Sequence, residues 1–395
     1  MKNYKSKMYF PDYNNCILNI MGSIAKGFNK KLDYFPLSIL KPTEIKKAKN
    51  IILIIIDGLG YEYLRKHGRN SELLKHLRGK ITSIFPAATT SCIPAFLTGT
   101  STQEHGMAGW YTFLREIGMI SIPLPYVTRF GDFLLEEKME FKKIFNISPF
   151  SNKINAKSHI LNPIKFYDSA FNKESAGRAK LIGYKKISEL FRKIEKIIKK
   201  NSKGKKYVYA YYPNPDSLMH EHGNEHKKVL REFKKIDKEF FKFLKKIKKT
   251  NSIVIITADH GLITVPKKKW IDTQKYPELN KFLRMPLCGE GRLAYAYIKL
   301  GKEKEFKNFI NKNLNFCCSI LKSEEAIKKG LFGKGKIHPE LKNRIGDYIL
   351  IMKENYGIKD FMIDSDFNEQ NLGRHGGTSA EEMFVPLIVI KTSDK

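Results

Sequence analysis

IILIIIDGLGYEYLRKH, residues 51–67, sets an unbroken Ile/Leu run in front of Asp57-Gly58 and follows it with a segment of helical periodicity. A run that is apolar at every position reads as a strand buried on both faces, whereas a half-exposed strand would alternate. The same pattern recurs along the chain. YVYAYY (207–212) runs into PNPDSLMHEHG, IVIIT (253–257) runs into Ala258-Asp259-His260-Gly261, and a fourth apolar run (384–390) follows RHGGTSAEEM. Strand followed by helix, repeated, predicts an α/β fold with a mostly parallel central sheet and helices on both faces.

Open sheets of this kind bind ligands at the carboxyl ends of their strands. Asp57 stands there after the first run, Asp216 and His220 after the second, and Asp259 and His260 after the third. His375, in the Gly-rich GRHGG loop, comes in from the far C-terminal part of the chain. Carboxylates and imidazoles in equal number suit zinc, with manganese or iron as alternatives, and two divalent ions are the natural count. Singly, each residue has a plainer explanation. Asp57 before glycine reads equally as a turn or cap residue. Asp216 and His220 share a helix face at i and i+4, a spacing that arises often by chance, and His222 and His226 read as surface residues. Two polar side chains at the edge of a core, Asp259 and His260, need partners. The reading rests on the set, because separate accidents would have to recur at one end of one sheet.

The chain has 395 residues, 42% of them hydrophobic, enough for one elaborated domain or two. Its five cysteines show no Cys-x-x-Cys spacing, which argues against a disulfide framework or a structural zinc cluster and points to a reducing compartment. No apolar run approaches the roughly 20 residues of a membrane helix, so a soluble, cytoplasmic protein is expected. The net charge of +32 would draw in nucleic acid, anionic lipid or phosphorylated substrates. Its lysines lie in short runs such as KIEKIIKKNSKGKK (193–206), interleaved with apolar residues at helical spacing, as solvated helix faces are. Nucleic-acid binding is therefore permitted by charge without being specifically indicated.

SIFPAATTSCIPAFLTGT (83–100) offers three hydroxyls, Thr89, Thr90 and Ser91, directly before the thiol of Cys92. Cys92-Ile93-Pro94 imitates half of the Cys-x-Pro-x-Arg signature of sulfatases. The periodicity of Ile93, Phe96 and Leu97 predicts a helix starting just after Thr89, which would set that hydroxyl among unpaired N–H groups that favour an anion.

The pieces IILIIIDGLG, FPAATTSCIPAFLTG, HGMAGW, YYPNPDSLMHEHG, ITADHGL and GRHGGTSAEEMFVPLIV, in that order, resemble the alkaline phosphatase superfamily and, within it, the type I phosphodiesterase/nucleotide pyrophosphatase group. The resemblance implies an alkaline-phosphatase-like catalytic domain over residues 1–395. Asp57, Asp259 and His260, with Thr89, stand where that family has the ligands of one metal; Asp216, His220 and His375 stand where it has those of the other. Thr89 occupies the nucleophile's place, ahead of Thr98-Gly99, while Cys92 is displaced from it and Phe96 stands where a sulfatase would need Arg. The implied reaction is hydrolysis of a phosphoric ester, a diester or nucleotide pyrophosphate, through a covalent phospho-threonine-type intermediate. Thr90 and Ser91 then read as first-turn caps, and Thr90, Cys92 and Trp110 as residues that could touch substrate. One departure bears on substrate: many members have Asn where this chain has Cys92, a much weaker donor. Arg374 is a candidate for holding a phosphate oxygen by position alone.

Between the motifs, an aromatic stretch at about 108–133, with Trp110, Tyr111 and Phe113, reads as a small β excursion over the site. Residues about 268–365 read as a strand, helix and strand cap insertion. The alternatives are a phosphomonoesterase, phosphonate hydrolase or mutase on the same metals, and, in another class, a basic protein that binds nucleic acid or a membrane surface without catalysis.

Overall fold

The computed structural model describes residues 7–129, 139–201, 203–360 and 372–393. Its central sheet has seven strands, in the order Leu77–Thr82, Phe384–Lys391, Ser252–Thr257, Asn50–Ile56, Lys206–Tyr212, Lys157–Pro163 and Lys180–Tyr184. Asn50–Ile56 pairs in parallel with a neighbour on each side and is buried at every position, which is why its sequence is unbroken Ile and Leu after the first residue. Lys206–Tyr212 and Ser252–Thr257 are buried at every position as well.

Phe384–Lys391 runs antiparallel to both of its neighbours. A strand running the other way begins where its neighbours end, so the RHGG loop in front of it arrives at the same edge of the sheet as Asp57, Asp216 and Asp259. Leu77–Thr82, paired to it antiparallel, points with the rest and leads into Thr89.

The helices pack against the sheet through their apolar stripes. Lys227–Ile247 buries Val229, Phe233, Ile236, Phe240, Phe243 and Ile247 at three- to four-residue spacing, and Phe243 stacks on Phe191 of Ile187–Lys199 with ring centroids 5.0 Å apart. The lysines interleaved along Lys227–Ile247 are left mostly on its outer side, as the spacing predicted. Among the described residues no helix is long and apolar enough to cross a membrane.

A second sheet of four antiparallel strands, Cys288–Glu290, Leu293–Ala296, Tyr348–Met352 and Cys318–Lys322, carries the helix Glu303–Asn313. Its two faces alternate. Ala294, Ala296, Leu350 and Met352 share a core with Phe306 and Ile310 of that helix, while Leu293, Tyr295, Ile349 and Ile351 pack with Phe85 and Ala108 of the larger body. Thr112–Leu114, Met119–Ile122 and Val127–Thr128 form a small meander, joined to the second sheet where Tyr111 and Gly289 exchange backbone hydrogen bonds of 3.1 and 2.7 Å. Residues 130–133 of the aromatic excursion and 361–365 of the cap lie outside the described residues.

Candidate active site

The carboxyl edge of the central sheet assembles six of the residues singled out above into two groups. Asp57, Asp259 and His260 form one and Asp216, His220 and His375 the other, each with its potential ligand atoms within 4.8 Å of one another. Gly58, at φ +73, makes the turn that ends the first strand; a Cβ there would come within 3.1 Å of the Cβ of Asp216, so glycine lets the two motifs meet. Gly60 and Gly261 lie back to back, and a Cβ on Gly261 would fall 2.0 Å from the Glu381 carbonyl.

Two of the three imidazoles are oriented by a carbonyl. His260 Nδ1 lies 3.1 Å from the Gly261 oxygen and His220 Nδ1 2.7 Å from the Gly373 oxygen. A carbonyl only accepts, so the proton belongs on Nδ1 and the Nε2 lone pair turns inward. His260 Nε2 faces Asp57 Oδ1 at 3.6 Å and Asp259 Oδ2 at 3.4 Å; His220 Nε2 faces Asp216 Oδ1 at 3.2 Å. The same three carboxylate oxygens, together with His375 Nδ1, are buried without a hydrogen-bond partner. Lone pairs aimed at carboxylates in a buried site repel unless a cation lies among them, and mixed nitrogen and oxygen donors suit a divalent ion of the zinc, manganese or iron kind. In the first group the other oxygens are held from behind: Tyr211 donates its hydroxyl to Asp57 Oδ2, and the amides of Gly58 (3.3 Å) and His260 (3.0 Å) donate to Asp259 Oδ1.

The electrostatics follow from this crowding. Burial, and then the charges of Asp259 and Asp216, push Asp57 well above the usual carboxylate range. Burial also acts to raise Asp216, but His220, His260 and Arg374 together hold it below its ordinary value. Burial, followed by His260 and His220, pushes His375 well below the usual imidazole range.

Thr89 opens the helix Thr89–Thr98, and its Oγ1 lies 3.0 Å from His260 Nε2. Ala88 takes the N-cap position, so Thr90 and Ser91 do not cap as the sequence suggested: Ser91 donates to the Met107 carbonyl at 3.1 Å, and Thr90 Oγ1 is buried without a partner. Cys92 is fully buried, 3.2 Å from Ser83 Oγ. Burial, with the Asp259 charge second, pushes its thiol far up, away from a reactive thiolate.

A cleft of about 390 Å³ opens over Thr89 and the second group, lined by Thr89, Asp216, His220 and His375 below and by the second sheet above. Trp110 and Tyr111 line it; Thr90 and Cys92 do not, since helix packing takes their side chains inward. Phe113 packs edge-on against Tyr297 at 5.8 Å, a core contact. Arg374 lies in the cleft wall over the ring of Trp270 at 4.9 Å, and burial lowers its guanidinium to about 10. His222 and His226 pack on each other at 4.5 Å outside the cleft, and His226 caps Lys227–Ile247.

Three residues around the site escaped the sequence reading. Glu290, which accepts from the Trp110 amide at 2.8 Å and is pushed up to about 8 by burial, sits in CGEGR, where a carboxylate between two glycines at a strand end was the available signal. Trp270 and Tyr211 carried none: an isolated aromatic, and one tyrosine of four in YVYAYY.

Sheet order, strand directions and the gathering of these residues at one edge define an alkaline-phosphatase-like α/β protein. The chain belongs to the type I phosphodiesterase / nucleotide pyrophosphatase family, which it matches over residues 51–122 and 135–378. Among solved structures it is similar to murine ectonucleotide pyrophosphatase / phosphodiesterase 5, at 18% identity over 85% of this chain and 87% of that one, with a TM-score of 0.63. An inactive variant of the same murine protein, in complex with AMP, matches at 17% identity over 87% and 88% of the two chains, with a TM-score of 0.65. Phosphonoacetate hydrolase from Sinorhizobium meliloti 1021, in complex with phosphonoformate, matches at 16% identity over 88% and 91%, with a TM-score of 0.63. No curated protein sequence shows significant similarity to the chain. As a member of its family the protein is a hydrolase of phosphoric esters.

Proposed function

We propose that the protein is a phosphodiesterase or nucleotide pyrophosphatase that uses Thr89 as nucleophile and two divalent ions, zinc foremost, as cofactors. The observation that carries this is the ring of three unpartnered, buried carboxylate oxygens, faced by imidazole lone pairs, with the Thr89 hydroxyl beside them. Asp57, Asp259 and His260 would hold one ion next to Thr89, and Asp216, His220 and His375 the other. Such ions lower the pKa of the hydroxyls they bind and neutralise charge developing at phosphorus. Thr89 Oγ1 forms the new ester bond to phosphorus as the leaving alcohol or phosphate departs, and water then cleaves the Thr89–phosphorus bond. The first-turn amide of Thr90, which no acceptor holds among the described residues, is positioned to steady a phosphoryl oxygen. Trp110 offers a flat surface for a nucleoside, and the AMP complex of the murine protein supports a nucleotide substrate.

A phosphonate hydrolase is the second reading. Arg374 in the cleft wall favours it, because a guanidinium there suits a second anionic group on the substrate. All five cysteines are free and buried, which supports a reducing, cytoplasmic setting. The test is a chromogenic panel of phosphodiester, phosphomonoester, phosphonate monoester and sulfate ester, run with the metal-loaded protein. Turnover is expected to be highest on the diester; a monoester preference above about tenfold, some 1.4 kcal/mol in barrier, would overturn the assignment.

A further inference from the structure

A second cleft, of about 520 Å³, lies along the outer strand Lys180–Tyr184 and shares no lining residue with the catalytic one. Its wall carries two facing rows of lysine. Lys193, Lys196 and Lys200 stand at i, i+3 and i+7, one side of Ile187–Lys199 and its end. Opposite them, Lys157, Lys180 and Lys206 are the first residues of three adjacent parallel strands, with Lys157 in register with Lys206 and His159 with Lys180. Like charges set directly opposite in a sheet cost stability, and no acidic residue lines the cleft to offset them.

Two of these lysines have structural work. Lys206 donates to the carbonyls of Ile198 and Lys200, closing the end of the helix, and Lys193 pairs with Glu189 at 2.9 Å. Among the described residues, Lys157, Lys180, Lys196 and Lys200 have no carboxylate partner. His159, 9% exposed, lines the same cleft with its Nδ1 buried and unpartnered. Burial lowers its pKa first, and the charges of Lys157, Lys180 and Lys206 lower it further. A solvated lysine face would show neither a titratable side chain sealed among the cations nor a concave apolar wall. That wall is supplied by Ile182, Ile197 and Tyr167.

We propose that this cleft is a binding site for an oligophosphate anion, distinct from the catalytic site, with Lys157, Lys180, Lys196 and Lys200 on the phosphates and the Tyr167 wall against any organic part. The anion has two sources, a free oligophosphate or a nucleoside polyphosphate, and titration calorimetry separates them. Tripolyphosphate and ATP are titrated, without added metal, into the Thr89→Ala protein, which lacks the proposed nucleophile, and into the same protein with Lys157→Glu and Lys180→Glu. Both lysines are exposed, so the fold should survive, with a melting temperature no lower than that of the Thr89→Ala protein as the check. The expected result is that the charge reversal removes one binding event or weakens it at least tenfold, while Lys328→Glu with Lys329→Glu, exposed on the second sheet's side, leaves it within twofold. Equal affinity for both ligands identifies a phosphate site; ATP binding at least tenfold tighter, with the excess lost in Tyr167→Ala, identifies a nucleotide site. Absence of binding, binding unaffected by the cleft reversal, or equal loss in the control pair would overturn the proposal.

Discussion

Thr89 is one of three consecutive hydroxyls, and what distinguishes it is position: it alone of the three lines the cleft beside the carboxylate and imidazole groups, 3.0 Å from His260 Nε2. Thr89→Ala is therefore expected to keep the fold and most of the bound metal while activity falls about 10³-fold or more, the scale on which loss of a nucleophile acts; Thr89→Ser should recover part of it. A fully active Thr89→Ala enzyme would remove the covalent mechanism. Glu290 makes a separate prediction. Its folded pKa of about 8 stands above the 4.5 of an unperturbed glutamate, so in the metal-free protein its contribution to stability is complete below about pH 4.5 and lost as pH rises through about 8. Glu290→Gln should flatten that part of the stability profile. In the enzyme, ionisation of Glu290 beside an anionic substrate should raise KM above pH 8, by about tenfold if roughly 1.4 kcal/mol of repulsion develops. A wild-type and a Glu290→Gln KM profile that rise together would show that another group titrates. At this scale the sequence singled out Asp57, Asp216, His220, Asp259 and His260, which follow unbroken apolar runs. It concealed Glu290, Trp270 and Tyr211, whose roles depend on which distant segment lies opposite.

Strands were legible where their residues are apolar without interruption. Asn50–Ile56, with both faces covered, announces itself; Leu77–Thr82, Lys157–Pro163 and Lys180–Tyr184 carry lysines, a glycine or a proline and give no apolar run. The reversed direction of Phe384–Lys391 was equally hidden, because hydrophobic pattern has no sign, yet it is what delivers His375 to the carboxyl edge. That loop is fixed by one buried pair. Arg292, at the second sheet, bonds Glu382 through Nε (3.1 Å) and Nη2 (3.0 Å), and Glu382 in turn accepts from the amides of Gly377 (2.9 Å) and Ser379 (3.2 Å). Arg292→Met leaves a buried carboxylate unpaired and is expected to cost about 3–5 kcal/mol. It should also loosen the His375 loop, so metal affinity should fall with stability in the same thermal and metal-binding titrations; loss of stability with unchanged affinity would confine the pair to the fold.

Across the whole molecule, function depends on segments that only folding unites. His220, near the middle of the chain, and His375, near its end, lie with ring centroids 5.0 Å apart, both near Asp216 Oδ1, at 3.2 and 4.0 Å. If they share an ion, His220→Ala and His375→Ala should be strongly non-additive in activity, the double variant little worse than either single one; additive losses would make one of them structural. The net charge of +32 has a different standing at this scale, since much of it lies on solvated helix faces and a distinct part lines the second cleft. The central claim is that the two carboxylate and imidazole groups are metal sites, and elemental analysis of zinc-loaded, exhaustively dialysed protein tests it most directly. The wild-type chain should retain two equivalents of divalent ion, and Asp259→Ala and Asp216→Ala should each lose at least one. A wild-type protein that retains none, or a full complement in both variants, would contradict it.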